Sequence, residues 1–244
     1  MIDVHCHILP GIDDGSKSWE MTAEMCRVAA RDGITHIVAT PHCNDRFDYD
    51  RDGCTAMLGE LSDAANGKLT FSLGCDLHFS YDNLQDALAH PRRYTIGDSQ
   101  YLLVEFSHYG LPPSVQQDLF SLLSGGMVPV ITHPERNPLL LRQPQLVLEM
   151  VEQGCLVQVT ANALTGFWGR PSKKMAEWLL QRHAVHVIAS DAHDAEHRKP
   201  VLSEAHEAVS KLAGEQIAEA LVTLNPAAMV EGKSLPYQPM YRTP

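Results

Sequence analysis

No run of about 18 consecutive apolar residues occurs in this chain, so no membrane-spanning helix and no direct membrane insertion are expected. The first residues carry the acidic Asp3 and no basic cluster, which is not the pattern of a secretory leader. A cytoplasmic protein is therefore the expectation. Basic residues are in deficit: 19 Lys and Arg against 30 Asp and Glu leave a formal net charge of −11, which disfavours a general nucleic-acid-binding surface. The six cysteines (Cys6, Cys26, Cys43, Cys54, Cys75 and Cys155) contain no C-x-x-C pair, so neither a zinc ribbon nor a disulfide framework is indicated. Reduced thiols are expected. No cysteine is followed six positions later by arginine, and the loop of a cysteine-nucleophile phosphatase is thereby missing. Neither G-x-S-x-G nor G-x-G-x-x-G occurs. The stretch from Gly11 to Ser18 has glycines and a lysine, but not at P-loop spacing, and its two aspartates would repel phosphate.

Histidine, by contrast, is plentiful, with 13 residues in 244, and 44% hydrophobic residues can bury a substantial core. The apolar patterning predicts strands at Ile2–Val4, Ile34–Thr40, Leu69–Leu73, Tyr101–Val104, Val128–Ile131, Leu156–Val159 and Val185–Ala189. Helical spacing fills the intervals: Met21, Met25, Val28 and Ala29 share one face between Trp19 and Asp32, and Gly33 is a natural stop. Further helices are expected around Met57, Leu58, Leu61 and Ala65, and over 82–90, 114–124, 146–153, 172–182, 201–212 and 215–224. Strands alternating with helices indicate parallel βα units. A distorted, TIM-like (β/α)7 barrel in one domain over residues 1–231 is favoured over an open doubly wound sheet, with an extended tail over 232–244.

The decisive pattern lies at the strand ends. His5 and His7 close the first strand, His42 the second, Asp76 the third, Glu105 the fourth, His133 the fifth, and Asp191 with His193 the seventh. Residues two apart on an extended chain point to one side, so His5 with His7, and Asp191 with His193, can each face a common point. In a parallel barrel every strand C-terminus opens onto the same face, where active sites lie. Six of seven strands thus aim an imidazole or carboxylate at one bowl. That donor set suits Zn²⁺, Mn²⁺ or Fe²⁺, and eight side chains suit two or three ions with a bridging carboxylate. Asp13 and Asp14, in the Gly-bounded turn after His7, are further carboxylates, and which of the two turns inward is open. His36, His90, His183, His186 and His206 are read as ordinary structural histidines, whereas His78, His108 and His197 fall in loops near the bowl. Arg136 and Arg198 follow His133 and His193 closely, and as guanidinium forks they match phosphate oxygens and offset the acidic ligands.

Four segments in order, Asp3-Val-His-Cys-His-Ile-Leu-Pro-Gly-Ile-Asp-Asp-Gly15, Ala39-Thr-Pro-His42, Thr132-His-Pro-Glu-Arg136 and Ser190-Asp-Ala-His193, resemble the polymerase and histidinol phosphatase (PHP) superfamily. Within it the chain is similar to the bacterial capsular and exopolysaccharide-type protein-tyrosine phosphatases, from Met1 to about Ala208. The resemblance implies a trinuclear, manganese-dependent site hydrolysing phosphotyrosine. It assigns His5, His7, Asp76 and Asp191 to a first ion, Asp76, Glu105 and His133 to a second, and Asp14, His42 and His193 to a third. Aspartate at position 76 departs from the glutamate that often bridges in the family. The implied partner is a phosphotyrosine protein, a membrane-associated tyrosine kinase of polysaccharide export. Histidinol-phosphate phosphatase, or another small-molecule phosphomonoesterase, is the enzymatic alternative. A non-catalytic metal-binding module is the other, and it would be favoured by loss of ligands or arginines, none of which is lost.

Overall fold

Short β-branched runs, each stopped by Pro, Gly or a polar turn, decide the architecture of the computed structural model, which describes residues 1–239. The strands are β1 (Ile2–Cys6), β2 (His36–Ala39), β3 (His42–Cys43), β4 (Thr70–Leu73), β5 (Asp76–His78), β6 (Tyr101–Glu105), β7 (Val128–Thr132), β8 (Leu156–Thr160) and β9 (Val187–Ala189). All ladders are parallel, in two sheets of order β1-β2-β4 and β3-β5-β6-β7-β8-β9. The two sheets meet where His7 N–H donates to Ala192 O at 2.9 Å and Asp191 N–H to His5 O at 2.8 Å. Taking β2 with β3, and β4 with β5, as broken single strands, the fold is the distorted (β/α)7 barrel.

Those two breaks are what the sequence pattern did not resolve. His42 and Asp76 do not end long strands; each begins a new short one, and the two are register partners. Pro41 has no N–H to continue a ladder. Its carbonyl instead accepts from Asp76 N at 3.1 Å, which moves both residues to the second sheet. Elsewhere expectation and structure differ at element ends. Trp19–Asp32 is helical as expected, with the Ser18 hydroxyl accepting from Met21 N and Gly33 closing it at φ 89°, a conformation that disfavours a side chain. The helix expected from Ser172 begins at Gly169. The last helix runs on past Leu224 to Val230 through a wider turn at Ala220–Leu224. The tail has neither helix nor strand as far as Pro239, yet it is held. Lys233 O accepts from Tyr101 Oη at 2.6 Å, Tyr237 bonds Asn225, and Leu235 is buried. The expected extension of Met240–Pro244 lies outside the described residues.

Two apolar clusters support the ligand-bearing face. The larger packs the strands against the helices. The smaller gathers Tyr101 and Leu103 of β6, Val130 of β7, and Val187 and Ala189 of β9, together with Val4, Val38 and Met229. Side chains alternate along a strand, so the residue two beyond Leu103 is Glu105, and two beyond Ala189 is Asp191. The same face that is apolar below becomes ionisable at the rim. The site therefore stands on a dry floor, where each fully buried Val, Leu or Met side chain contributes roughly 1.5–3 kcal/mol to the stability of the frame.

Candidate metal centre

The end of β1 sets the geometry. His5 and His7 are buried, and their Nε2 atoms face each other at 3.1 Å. The outer nitrogens are engaged: His5 Nδ1 lies 2.9 Å from Gln158 Oε1, and His7 Nδ1 lies 2.7 Å from Asp13 Oδ2. A carboxylate only accepts, so His7 carries its proton on Nδ1, which leaves its Nε2 lone pair directed inward. With His5 likewise donating to the Gln158 carbonyl, two lone pairs converge. That arrangement is repulsive unless a proton or a metal ion lies between them.

The turn after β1 is compressed onto the strand. A Cβ at Gly15 would fall 2.2 Å from His7 O, so only glycine allows this closure. Within this turn the two aspartates point opposite ways. Asp13 accepts from Gly15 N at 2.8 Å and from His42 N at 3.0 Å while holding His7, so it acts as an orienting group. Burial would raise the Asp13 carboxyl, but the charge and hydrogen bond of His7 hold it well below the usual range. Asp14 takes the other direction: its Oδ1 lies 3.4 Å from both His42 Nε2 and His193 Nε2, with the side chain 46% exposed toward the opening.

Asp76 is fully buried, and one oxygen serves two histidines, at 3.1 Å from His42 Nδ1 and 3.6 Å from His5 Nε2. Neither His42 Nδ1 nor Asp76 Oδ2 has a hydrogen-bond partner, so the two face each other as buried, unsatisfied atoms. Such groups are costly unless something else pairs with them, and a cation fits. Burial alone would raise the Asp76 carboxyl; the charges of His5 and His42 hold it well below. Glu105 Oε2 lies 3.7 Å from His42 Nδ1, and its Oε1 lies 3.8 Å from His133 Nε2. Burial and the neighbouring Asp76 charge push Glu105 up to about 7. Asp191 Oδ1 lies 3.5 Å from His5 and 3.4 Å from His7, and its second oxygen takes both Arg136 and Arg198. His133 and Asp191 adopt positive φ of 34° and 50°, a strained conformation for non-glycine residues that turns both side chains into the bowl.

All eleven predicted site residues thus meet at one face. Among the described residues, three sets each place one ligand atom per residue within 4.8 Å of the others: His7, Asp14, His42 and His193; His5, His7 and Asp76; and His42, Asp76 and Glu105. These sets cut across the grouping implied by resemblance. His42 joins Asp76 and Glu105, whereas His133 approaches Glu105 alone among the carboxylates. His78 and His108 line a cavity of about 390 Å³ beside Glu105, with Asn44, Arg46, Phe106 and Tyr109. His197 lines a different cavity, and His186 is structural, its Nδ1 accepting from Val157 N at 3.1 Å. All six cysteines are buried and unpaired, and burial pushes the Cys6 and Cys75 thiols well above their ordinary value.

Several contributors went unread in the sequence. Gln158 sits within β8, on the one strand to which no ligand was assigned, and orients His5. Asp3 accepts from Ser190 N at 2.9 Å and from Ser190 Oγ at 2.5 Å, tying β1 to the end of β9, and burial pushes its carboxyl up to about 6. Glu135, between His133 and Arg136, is buried and accepts from Thr160 N at 3.0 Å. Trp168 lies beneath both arginines, with Arg136 Cζ 4.0 Å and Arg198 Cζ 5.4 Å from its ring centre. Asp3 and Glu135 lie within the ligand motifs themselves, beside His5 and His133. Gln158 and Trp168 carry no local pattern.

Residues 1–231 match the family described as "Capsular polysaccharide synthesis, CpsB/CapC". The tyrosine-protein phosphatase YwqE of Bacillus subtilis is 33% identical over 98% of this chain and 95% of its own length. A crystal structure described with YwqE from Bacillus subtilis and CpsB from Streptococcus pneumoniae as unique metal-dependent tyrosine phosphatases superposes at a TM-score of 0.90. It is 31% identical and covers 99% of this chain and 100% of that one. A histidinol phosphate phosphatase from Lactococcus lactis shares only the fold, at a TM-score of 0.59 and 10% identity, covering 87% of this chain and 95% of its own. With its ligand-bearing rim, its two arginines and a family match that spans nearly its whole length, the chain belongs to the CpsB/CapC family of capsular polysaccharide synthesis.

Proposed function

We propose that this chain is a metal-dependent protein-tyrosine phosphatase that hydrolyses phosphotyrosine on a protein. The observation that carries the reading is the convergence of three ligand sets and two guanidinium groups on one face of the barrel. His5, His7, Asp76 and Asp191, then Asp76, Glu105 and His133, and then Asp14, His42 and His193 would hold the ions, with Asp76 shared. Manganese is the proposed metal, with Zn²⁺ or Fe²⁺ as alternatives compatible with the same imidazole and carboxylate donors. Bound divalent cations would supply Lewis-acid charge to phosphoryl oxygens and acidify water at the site. Arg136 and Arg198 would bind and orient the phosphoryl group, a role that fits planar forks with fixed donors. The dry floor beneath raises the strength of every such interaction.

The cavity beside Glu105 favours a tyrosyl over a small aliphatic leaving group, because Tyr109 and Arg46, which line it, offer aromatic and cationic surface to a phenyl ring. The family's link to capsular polysaccharide synthesis supports a tyrosine kinase of polysaccharide export as the phosphoprotein. We place the protein in the cytoplasm with it; among the described residues no helix is long and apolar enough to cross a membrane. Phosphotyrosyl peptide, phosphoseryl peptide and histidinol phosphate offered side by side test the reading, with metal quantified in the same samples. Preferred turnover of the phosphotyrosyl peptide, abolished by chelation and restored by Mn²⁺, is expected. Rapid turnover of histidinol phosphate with none of the peptide would overturn it in favour of the small-molecule alternative.

A further inference from the structure

β8 is the one strand of the barrel to which no metal ligand was assigned, and its C-terminal loop leads instead to an indole. After β8 a short helix, Ala161–Thr165, is closed by Phe167 N donating to Asn162 O at 3.0 Å, and Trp168 follows. The indole Nε1–H donates to Asn162 Oδ1 at 2.6 Å, which fixes the ring plane. Phe167 packs edge-on against it, with ring centres 5.2 Å apart. Over this held ring lie two guanidinium groups from different loops, Arg136 after β7 and Arg198 after β9, at 4.0 Å and 5.4 Å. Both also reach the same oxygen of Asp191.

One arginine on one tryptophan is ordinary; Arg182 lies 4.1 Å from the ring of Trp178 elsewhere in the chain, away from any ligand. Two like charges sharing one ring and one carboxylate oxygen repel each other, and need a reason to stay together. The face of the ring is electron-rich, so it attracts the flat side of both guanidinium groups, while Asp191 accepts from one end of each and the other N–H groups are left for an anion. We propose that Trp168 is a positioning residue that holds Arg136 and Arg198 side by side as one anion-binding fork, so that a tetrahedral oxyanion meets both guanidinium edges without first ordering them. The inference rests on the arginines' assignment as the phosphoryl clamp. It adds that the clamp is assembled by an indole from the loop after β8.

Inorganic phosphate, titrated into the purified metal-containing protein, is the direct probe, read by tryptophan fluorescence and by competitive inhibition. Trp168→Leu keeps apolar bulk but removes the π face, and should weaken phosphate about tenfold and lower kcat/KM at least as much, with metal content unchanged. Trp168→Phe keeps a π face and should stay within about threefold of the wild-type value. The phosphate-induced fluorescence change should vanish in Trp168→Phe and persist in Trp19→Phe and Trp178→Phe. Asn162→Ala frees the indole from its acceptor and should weaken phosphate in the same direction as Trp168→Leu, which keeps the test open if the leucine variant folds poorly. Equal phosphate affinity in the leucine and phenylalanine variants would overturn the platform, as would loss of metal in step with loss of phosphate. If the wild-type protein leaves phosphotyrosyl peptide intact, the phosphatase reading fails; the phosphate titrations still decide whether the indole organises the arginines.

Discussion

Replacing Asp13 with asparagine tests whether the site is built for metal, because the change is nearly isosteric and touches no proposed ligand atom. Asp13 is an acceptor on every side: Oδ2 faces His7 Nδ1 at 2.7 Å and His42 N–H at 3.0 Å, and Oδ1 takes Gly15 N–H at 2.8 Å. An amide offers one acceptor and one NH₂. If the NH₂ points at His7 and His42, it opposes a backbone donor and drives the imidazole to carry its proton on Nε2, the nitrogen that faces His5. If the amide flips, the NH₂ opposes Gly15 N–H instead. Either way a buried donor is left unpaired, at about 1–3 kcal/mol. Loss of the residue that orients a metal-binding histidine typically costs about 10–100-fold in metal affinity or activity, a range of similar size. Asp13→Asn should therefore bind Mn²⁺ about 10–100-fold more weakly in chelator competition, with turnover recovering at high metal. A variant that holds metal as tightly as wild type would refute the argument that His7 presents an inward lone pair.

Arg136→Ala and Arg198→Ala should each lower kcat about 10²–10³-fold, as loss of a positioned donor does, with metal content retained; a raised KM at unchanged kcat would reduce them to substrate gathering. Asp76→Asn should lower metal stoichiometry and turnover together, since its one unsatisfied oxygen serves both His5 and His42; normal metal content would move the bridge to Glu105. Stability should fall in mild acid through His186, whose ordinary value of 6.5 is depressed by burial to about 4. A depressed folded value means that the unfolded chain takes the proton first, so this stability is complete above about pH 6.5, lost progressively as pH falls toward 4, and reduced by ~2 kcal/mol at pH 5. His186→Gln keeps an acceptor for Val157 N–H but cannot titrate, and denaturant melts at pH 7 and pH 5 should show a smaller drop than wild type; equal drops would exclude His186 as the source.

Much of this protein was legible in its residues because the relevant rules are local. A period of two places His5 with His7, and carries the apolar face of β6 and β9 into Glu105 and Asp191. Turn residues stop each strand near its ligand, and parallel βα alternation brings the strand ends to one side. The ligand types, the arginines and the barrel follow from that. Tertiary packing decided the rest. That Asp13 turns back onto His7 and His42 N–H while Asp14 faces His42 and His193 is set by contacts between chain segments that no spacing encodes. His42 and Asp76 leave the first sheet because Pro41 cannot donate and its carbonyl captures Asp76 instead. The grouping of His42 with Asp76 and Glu105 is a consequence of that capture. Trp168 lies 32 residues from Arg136 and 30 from Arg198 in the chain, so only the closing of β7, β8 and β9 into one wall sets its ring beneath them.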